Sequence, residues 1–456
     1  MISNLLAALL LLPVAPSGWA GGADGWAGLN GGTTGGAGAP AESVFVVHNR
    51  AELIAALDNG GNRAAAKVVV VDGVIHGNEA ADGTLLGEQD YAPGYDLAQY
   101  MQCFVGGTVW SDGAYPFCKA IRTLRQNGSN AEKKQIQITV PSNTTLVGEG
   151  RGARLDGVDL TVNLGTNIII RNLTLESPID YFTSWDPGDG AQGGWNARFD
   201  AMSVVTGTNL WIDHCTFTDG QYPDSEAPVG FHGQPVQRHD GLLDIEDGSD
   251  FITVSYSQFL DHDKTLLIGS GDSKGARDRA HLRLTFHHNL FRNSQQRSPR
   301  LRFGQVHTYN NYFVGSVHDP DYPMVSQALG GSAYFLGMGL ESKILSEYNA
   351  FSYDGAVQPE DIAVANLKGN QFVDRGSWVN GRRADITAVA KRKFEAASAA
   401  ALTAAQAAGT APEEWATWEF TTDVGWDPAT LYGYRTHRSA NAVIADVMRH
   451  SGAGNR

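Results

Sequence analysis

The sequence predicts an all-β chain wound as a β-solenoid, with peripheral loops and helices near its two ends, and two observations carry that reading. The first is recurrence: apolar or alternating segments, most containing or ending near Asn or an aromatic, return at 168–175, 210–217, 252–259, 284–291, 306–313 and 343–351. The shortest separation, Phe291 to Phe313, is 22 residues. A unit of that length holds about three short strands with turns and cannot bury a face alone, so stacked units must supply one another's core. The second observation is that no helical spacers separate these segments, while 54 glycines supply turns beyond ordinary usage. A β-sandwich of irregular strands is the alternative. Asn172, Asn289 and Asn311 are expected to hydrogen-bond along the stack.

Toward the N-terminus, residues 5–15 form an apolar run too short for a membrane span and are followed by Gly18-Trp19-Ala20, a small-x-small pattern. Residues 1–20 are therefore expected to be a signal peptide, leaving 21–456 as one exported domain that is monomeric and free of membrane. Residues 21–43, rich in Gly, Ala and Thr, read as a flexible linker. Strands are expected at 44–47 and 68–71, with a helix at 51–57 closed by Asp58-Asn59-Gly60. Near the other end, residues 386–408 read as a helix capped by Asp385, and 439–450 as a second with an apolar stripe of Val443, Ile444, Val447 and Met448. Both are expected to pack on the solenoid.

A formal net charge of −15 argues against nucleic acid as a partner, because phosphate binding needs a basic surface. It does not exclude an acidic substrate, since a local basic patch or bound cation governs a site. Three cysteines without C-x-x-C spacing argue against a structural zinc site. Cys103 and Cys118 flank a short loop and are either a disulfide or two thiols, while Cys215 reads as a buried small hydrophobe.

Three carboxylates, Asp200, Asp240 and Asp244, are the candidate metal ligands, because hard oxygen donors suit calcium. By spacing alone they do not differ from solvated or turn-capping aspartates. The run Gln296-Arg297-Ser298-Pro299-Arg300-Leu301-Arg302 follows a predicted strand. Strand alternation would put Arg297 and Arg302 on opposite faces, but Pro299 prevents regular pairing and implies a bend that lets them converge. Lys264, in Asp261-His262-Asp263-Lys264-Thr265, is either a surface ion-pair partner or, facing the same groove as the arginines, an anchor for a carboxylate.

The chain resembles the pectate lyase superfamily, polysaccharide lyase family one, in four motifs in family order. They are Leu210-Trp211-Ile212-Asp213-His214-Cys215-Thr216-Phe217, Asp240-Gly241-Leu242-Leu243-Asp244-Ile245, Asp263-Lys264-Thr265-Leu266-Leu267-Ile268-Gly269-Ser270, and the stretch from His287-His288-Asn289 through Arg297-Ser298-Pro299-Arg300-Leu301-Arg302 to Tyr309-Asn310-Asn311-Tyr312. The resemblance implies a right-handed parallel β-helix and a secreted, calcium-dependent enzyme that cleaves polygalacturonate by β-elimination within the chain. It implies that Asp200, Asp240 and Asp244 hold Ca2+, that Arg297 is the catalytic base, that Lys264 and Arg302 bind substrate carboxylates, and that Asp213 and His214 are structural. Hydrolysis by paired carboxylates, a calcium-independent pectin lyase and a non-catalytic carbohydrate-binding solenoid are the rival readings.

Overall fold

The computed structural model describes residues 22–190, 192–320, 322–324, 333–355 and 357–455; the signal segment expected at 1–20 lies outside them. The chain winds as a right-handed parallel β-helix. Ten parallel strands form sheet A, running in spatial order from Val44–Val47 and Lys67–Val71 through Thr144–Gly148, Thr166–Arg171, Thr208–Asp213, Asp250–Ser255, Arg283–His287, Gln305–Tyr309 and Lys343–Glu347 to Gln371–Arg375. Sheet B stacks Thr174–Glu176, Thr216–Thr218, the first part of Gln258–Ile268, Leu290–Gln296, Tyr312–Ser316 and Ala350–Asp354. Sheet C stacks Asp159–Asn163, Met202–Val205, Gly241–Glu246, the last part of Gln258–Ile268, Arg300–Leu301, Leu336–Gly339 and Val364–Leu367. The long strand Gln258–Ile268 turns the corner between B and C without a break.

Each recurring segment proves to be two strands rather than one. A single residue in the left-handed region joins sheet A to sheet B: Asn172, His214, Tyr256, His288, Asn310 and Tyr348, with φ between 44° and 56°. The third residue after each bend points inward, which is why Phe217, Phe259, Phe291, Phe313 and Phe351 form one internal column with ring centroids 4.7–4.9 Å apart and planes within 10° of parallel. Burying such rings and stacking them offset is among the larger favourable terms available to a core.

The polar ladder runs beside this column. Asn289 donates from Nδ2 to Oδ1 of Asn311 at 3.0 Å, Asn311 donates to Oδ1 of Asn349 at 3.1 Å, and each side-chain oxygen also takes the backbone N–H of the coil before it. Ser257 and Ser377 continue the ladder at its two ends. Asn172 does not belong to it. It sits one position earlier, at the left-handed bend, and donates to the carbonyls of Gly148 and Gly150; Asn is favoured there because its short amide tolerates positive φ.

The ends are sealed by helices. Arg50–Asp58 is capped by Asn49, whose side chain accepts from the Glu52 N–H, and packs on the first two strands of sheet A. Ile386–Ala408, capped by Asp385, buries Ile386, Val389, Ala390 and Phe394 against the last coils. Ala440–His450 buries Ala440, Val443 and Val447. Met448 is exposed, so the stripe is narrower than the sequence suggests.

One further expectation fails and one helix was missed. The part of the expected 21–43 linker that is described, 22–43, is no linker: Trp26 and Ala27 donate their N–H groups to Thr285 and Thr253, and Gly35 and Gly36 donate to Asn167 and Thr145, so it lies across the outer face of sheet A. Glycine is required for that approach, since a Cβ on Gly36 would fall 1.9 Å from the Lys67 carbonyl. The helix Cys118–Ile136, polar on average and with Gly128, Ser129 and Glu132 on its buried side, was not anticipated; Cys118 at its start is joined by a disulfide to Cys103. No helix among the described residues is long and apolar enough to cross a membrane.

Because Asn311 is wholly buried and serves two coils at once, Asn311→Ala leaves the Asn289 backbone N–H without its partner and takes a second donor from the Phe286 carbonyl. The expected cost is about 3 kcal/mol, read as a lower denaturant midpoint.

Candidate active site

The predicted site residues lie on or beside the strands of sheet C. Parallel register places Ser203, Asp244, Leu267 and Arg300 in one row across four successive coils, and Gly241, Lys264 and Gln296 in a second row. Strand alternation does the rest: Leu243 and Ile245 point into the core, so Asp244 between them points out. Asp200 and Asp240 stand just before the strands Met202–Val205 and Gly241–Glu246.

Asp200 accepts from the Ser203 hydroxyl at 2.6 Å and from the Gly241 N–H at 2.8 Å, and Asp244 accepts from the Leu267 N–H at 3.1 Å. A Cβ on Gly241 would lie 2.7 Å from Oδ1 of both Asp200 and Asp244, so only glycine lets these carboxylates close over the strand. Asp240 is turned toward Lys264, whose Nζ lies 3.4 Å from it and donates to Gln237 at 2.8 Å. The three carboxylates therefore share a neighbourhood without closing into a tight shell.

The charges there are unbalanced. Both Asp200 and Asp244 keep some solvent exposure as residues, but protein crowds their carboxylates. Asp200 is held well above the usual carboxylate range by that crowding and then by Asp244 and Asp240. Asp244 is pushed up to about 7 by burial and Asp240, against a downward pull from Arg297. Like charges at this range raise one another's proton affinity, and a cation relieves them. The donors are all oxygen, which fits a hard divalent ion rather than a soft one.

The arginines converge through a defect in register. Lys264 pairs with Gln296 and Leu267 with Arg300, so two residues of one coil face three of the next. The extra residue is taken up at Arg297, whose φ is 62°. Such a bulge re-aims a side chain out of the alternation, which answers the parity problem posed by Arg297 and Arg302. Arg297 Nε and Arg300 Nε are buried without hydrogen-bond partners, as is the Tyr334 hydroxyl. Arg302, buried, donates to Asp272 at 2.8 Å and to the Gly269 carbonyl at 2.7 Å.

Several contributors were not legible beforehand. Ser203, Gln237 and Asp272 hold the charged groups in place but belong to no motif. Arg300 lies in the arginine run without a role assigned to it, yet its guanidinium is pushed down to about 10 by burial and by Arg302, with Arg297 adding to the effect. His262 bonds Asp219 through Nδ1 and donates to the Asp240 carbonyl through Nε2, both at 2.7 Å. Burial opposes its charge, but Asp219 dominates and raises it to about 9, so an imidazolium fixes the Asp240 backbone. Asp213 is occupied by Arg171, His214 and Ser255 at 2.6–2.7 Å, which fits a structural pair.

The parallel β-helix thus carries a carboxylate cluster with an arginine run on the next coils. The pectate lyase family model matches residues 120–456. The pectate lyase of Bacillus subtilis is 36% identical over 394 residues, covering 84% of this chain and 90% of that one. Pectate lyase E of Dickeya chrysanthemi is 36% identical over 363 residues, 78% of each chain. Among solved structures, a pectate lyase bound to hexasaccharide superposes with a TM-score of 0.80 at 34% identity over 95% of this chain and 97% of that one. The pectate lyase of Acidovorax avenae subsp. citrulli gives 0.82 at 27% identity over 100% and 99%. The chain belongs to the pectate lyase family and is a polysaccharide lyase.

The raised Asp244 makes a signed prediction. Its folded carboxyl binds a proton more tightly than the unfolded one, so in chelator its contribution to stability is full below about pH 4 and is lost as pH rises toward 7. Asp244→Asn should therefore melt with wild type at pH 4 and above it at pH 8, as followed by thermal unfolding without divalent ions.

Proposed function

We propose that this enzyme cleaves α-1,4-linked polygalacturonate by calcium-assisted β-elimination at internal bonds, releasing 4,5-unsaturated oligogalacturonides. The observation that supports it best is the Arg297 guanidinium, aimed outward by the bulge with its Nε unpaired, beside a carboxylate cluster short of positive charge. The related structure that carries a hexasaccharide supports a saccharide substrate on this fold.

Asp200, Asp240 and Asp244 would hold Ca2+, as their all-oxygen donor set and mutual repulsion favour. When bound, the ion supplies charge neutralisation at a uronate carboxylate, which makes the neighbouring C5–H more acidic. Lys264 and Arg302 bind substrate carboxylates in place of Gln237 and Asp272, which hold them otherwise. Arg297 takes the C5 proton. The C–H electron pair becomes the C4–C5 double bond, the C4–O bond breaks, and the leaving oxygen is protonated from water. Because a guanidinium must lose its proton before it can act as a base, turnover should rise at alkaline pH. Internal cleavage is supported by the position of the site, with further coils of sheet C on both sides. The Cys103–Cys118 disulfide supports function outside the cytoplasm. We further propose that 21–456 acts as one domain and as a monomer.

The test is the ultraviolet absorbance of unsaturated products from polygalacturonate, with calcium or with chelator. Arg297→Lys should lower kcat by about 1,000-fold with little change in KM, since lysine keeps the charge and loses the base geometry. Near-normal turnover by that variant rejects the base assignment. Chelator-insensitive cleavage of highly methylated pectin would replace the calcium reading with a pectin lyase.

A further inference from the structure

We propose that His288, His437 and Asp446 bind a divalent first-row transition ion of the Zn2+ type, separate from the carboxylate cluster, and that this ion ties the C-terminal helix to the β-helix. Among the described residues, these three are the group of His, Cys, Asp or Glu side chains whose donor atoms all lie within 4.8 Å of one another. They come from three places. His288 occupies a left-handed bend between sheets A and B, His437 lies on the strap before Ala440–His450, and Asp446 is on that helix.

The hydrogen bonds define what each atom offers. Asp24 is a carboxylate acceptor 3.1 Å from His287 Nε2, which makes His287 Nε2 the protonated nitrogen and leaves Nδ1 of that ring as an acceptor. His288 Nδ1 lies 2.8 Å from His287 Nδ1 and must be the donor. The remaining nitrogen, His288 Nε2, therefore presents a bare lone pair, and what it faces is Asp446 Oδ2 at 3.8 Å. His437 Nε2 faces the same oxygen at 3.6 Å. Neither distance is a hydrogen bond, and Asp446 Oδ2 is buried without a partner. Its other oxygen takes a contact from His450 Nδ1 at 3.0 Å.

A lone pair facing an unpaired buried carboxylate oxygen is unfavourable unless a cation lies between them. Tetrahedral coordination with metal–ligand bonds of about 2.0–2.1 Å puts donor atoms about 3.3 Å apart, so each histidine nitrogen must close on Asp446 Oδ2 by a few tenths of an ångström, and the two histidines, within 4.8 Å, must draw together as well. The supporting shell is built: the Asp24–His287 pair orients His288, His450 orients Asp446, and Asn310 clamps the His437 backbone through both its amide ends. His437 is about two-fifths exposed, which leaves an entry path and room for a water ligand. Two imidazoles and one carboxylate favour zinc-like ions over calcium, which prefers oxygen donors throughout.

The experiment uses the full chain stripped with chelator, titrated with Co2+ and then Zn2+. The expected result is one Co2+ per chain with the intense visible bands of a tetrahedral site, displaced by Zn2+ but not by millimolar calcium, together with a metal-dependent rise in melting temperature. His437→Ala, whose side chain is about two-fifths exposed, should weaken uptake by about 100-fold, abolish the melting shift and keep lyase activity in calcium. Asp446→Asn should do the same. No Co2+ or Zn2+ uptake by wild type overturns the proposal, as does uptake that persists unchanged in His437→Ala. Neither result bears on polygalacturonate cleavage, which is read separately.

Discussion

Parallel register is the constraint on which the rest of this molecule depends. Each coil lies on the one before with its residues in line, so a side chain's neighbours are those at the same position in adjacent coils. Phe stacks on Phe, Asn bonds Asn, and every left-handed bend falls beneath the next. The core is thus a set of columns rather than a globular interior. A polar group in a column is satisfied by repetition, which is how amides sit wholly buried without cost.

The same rule builds the site. Residues from coils far apart in sequence become neighbours on sheet C because they share a position, and one departure from register, at Arg297, aims a side chain that alternation would have hidden. The electrostatics follow from the geometry. Carboxylates collect on two adjacent coils and arginines on the next ones, giving an acidic half short of cations beside a basic half with unpaired donors. An overall charge of −15 is compatible with an acidic polymer on such a surface, because the field that matters is local.

Much of this was legible in the sequence. Recurrence of the Phe and Asn positions pointed to stacking, and the helix at 386–408 with its Asp385 cap matches residue for residue. Of the six candidate site residues, Asp244 and Lys264 lie within strands and Asp200, Asp240, Arg297 and Arg302 beside strand ends. The failures have physical reasons. Asn172 looks like a ladder residue because both the ladder and the bend favour Asn, and only register separates them. The segment at 21–43 has the composition of a linker, yet its glycines are there so that backbone can touch backbone. Cys118–Ile136 carries many polar residues and hides its short buried face.

By itself, the sequence determined the repeating coil, the end helices and the chemical types available to the site, since these rest on local periodicity, capping and residue identity. Tertiary structure decided which of those residues meet. The bulge at Arg297, the Gly241 approach that lets two aspartates close, and the meeting of His288 with His437 and Asp446 across more than a hundred residues all depend on how coils register and where the strap returns. Spacing along the chain carries no record of those distances, because insertions of different length separate coils that stack at one constant strand spacing.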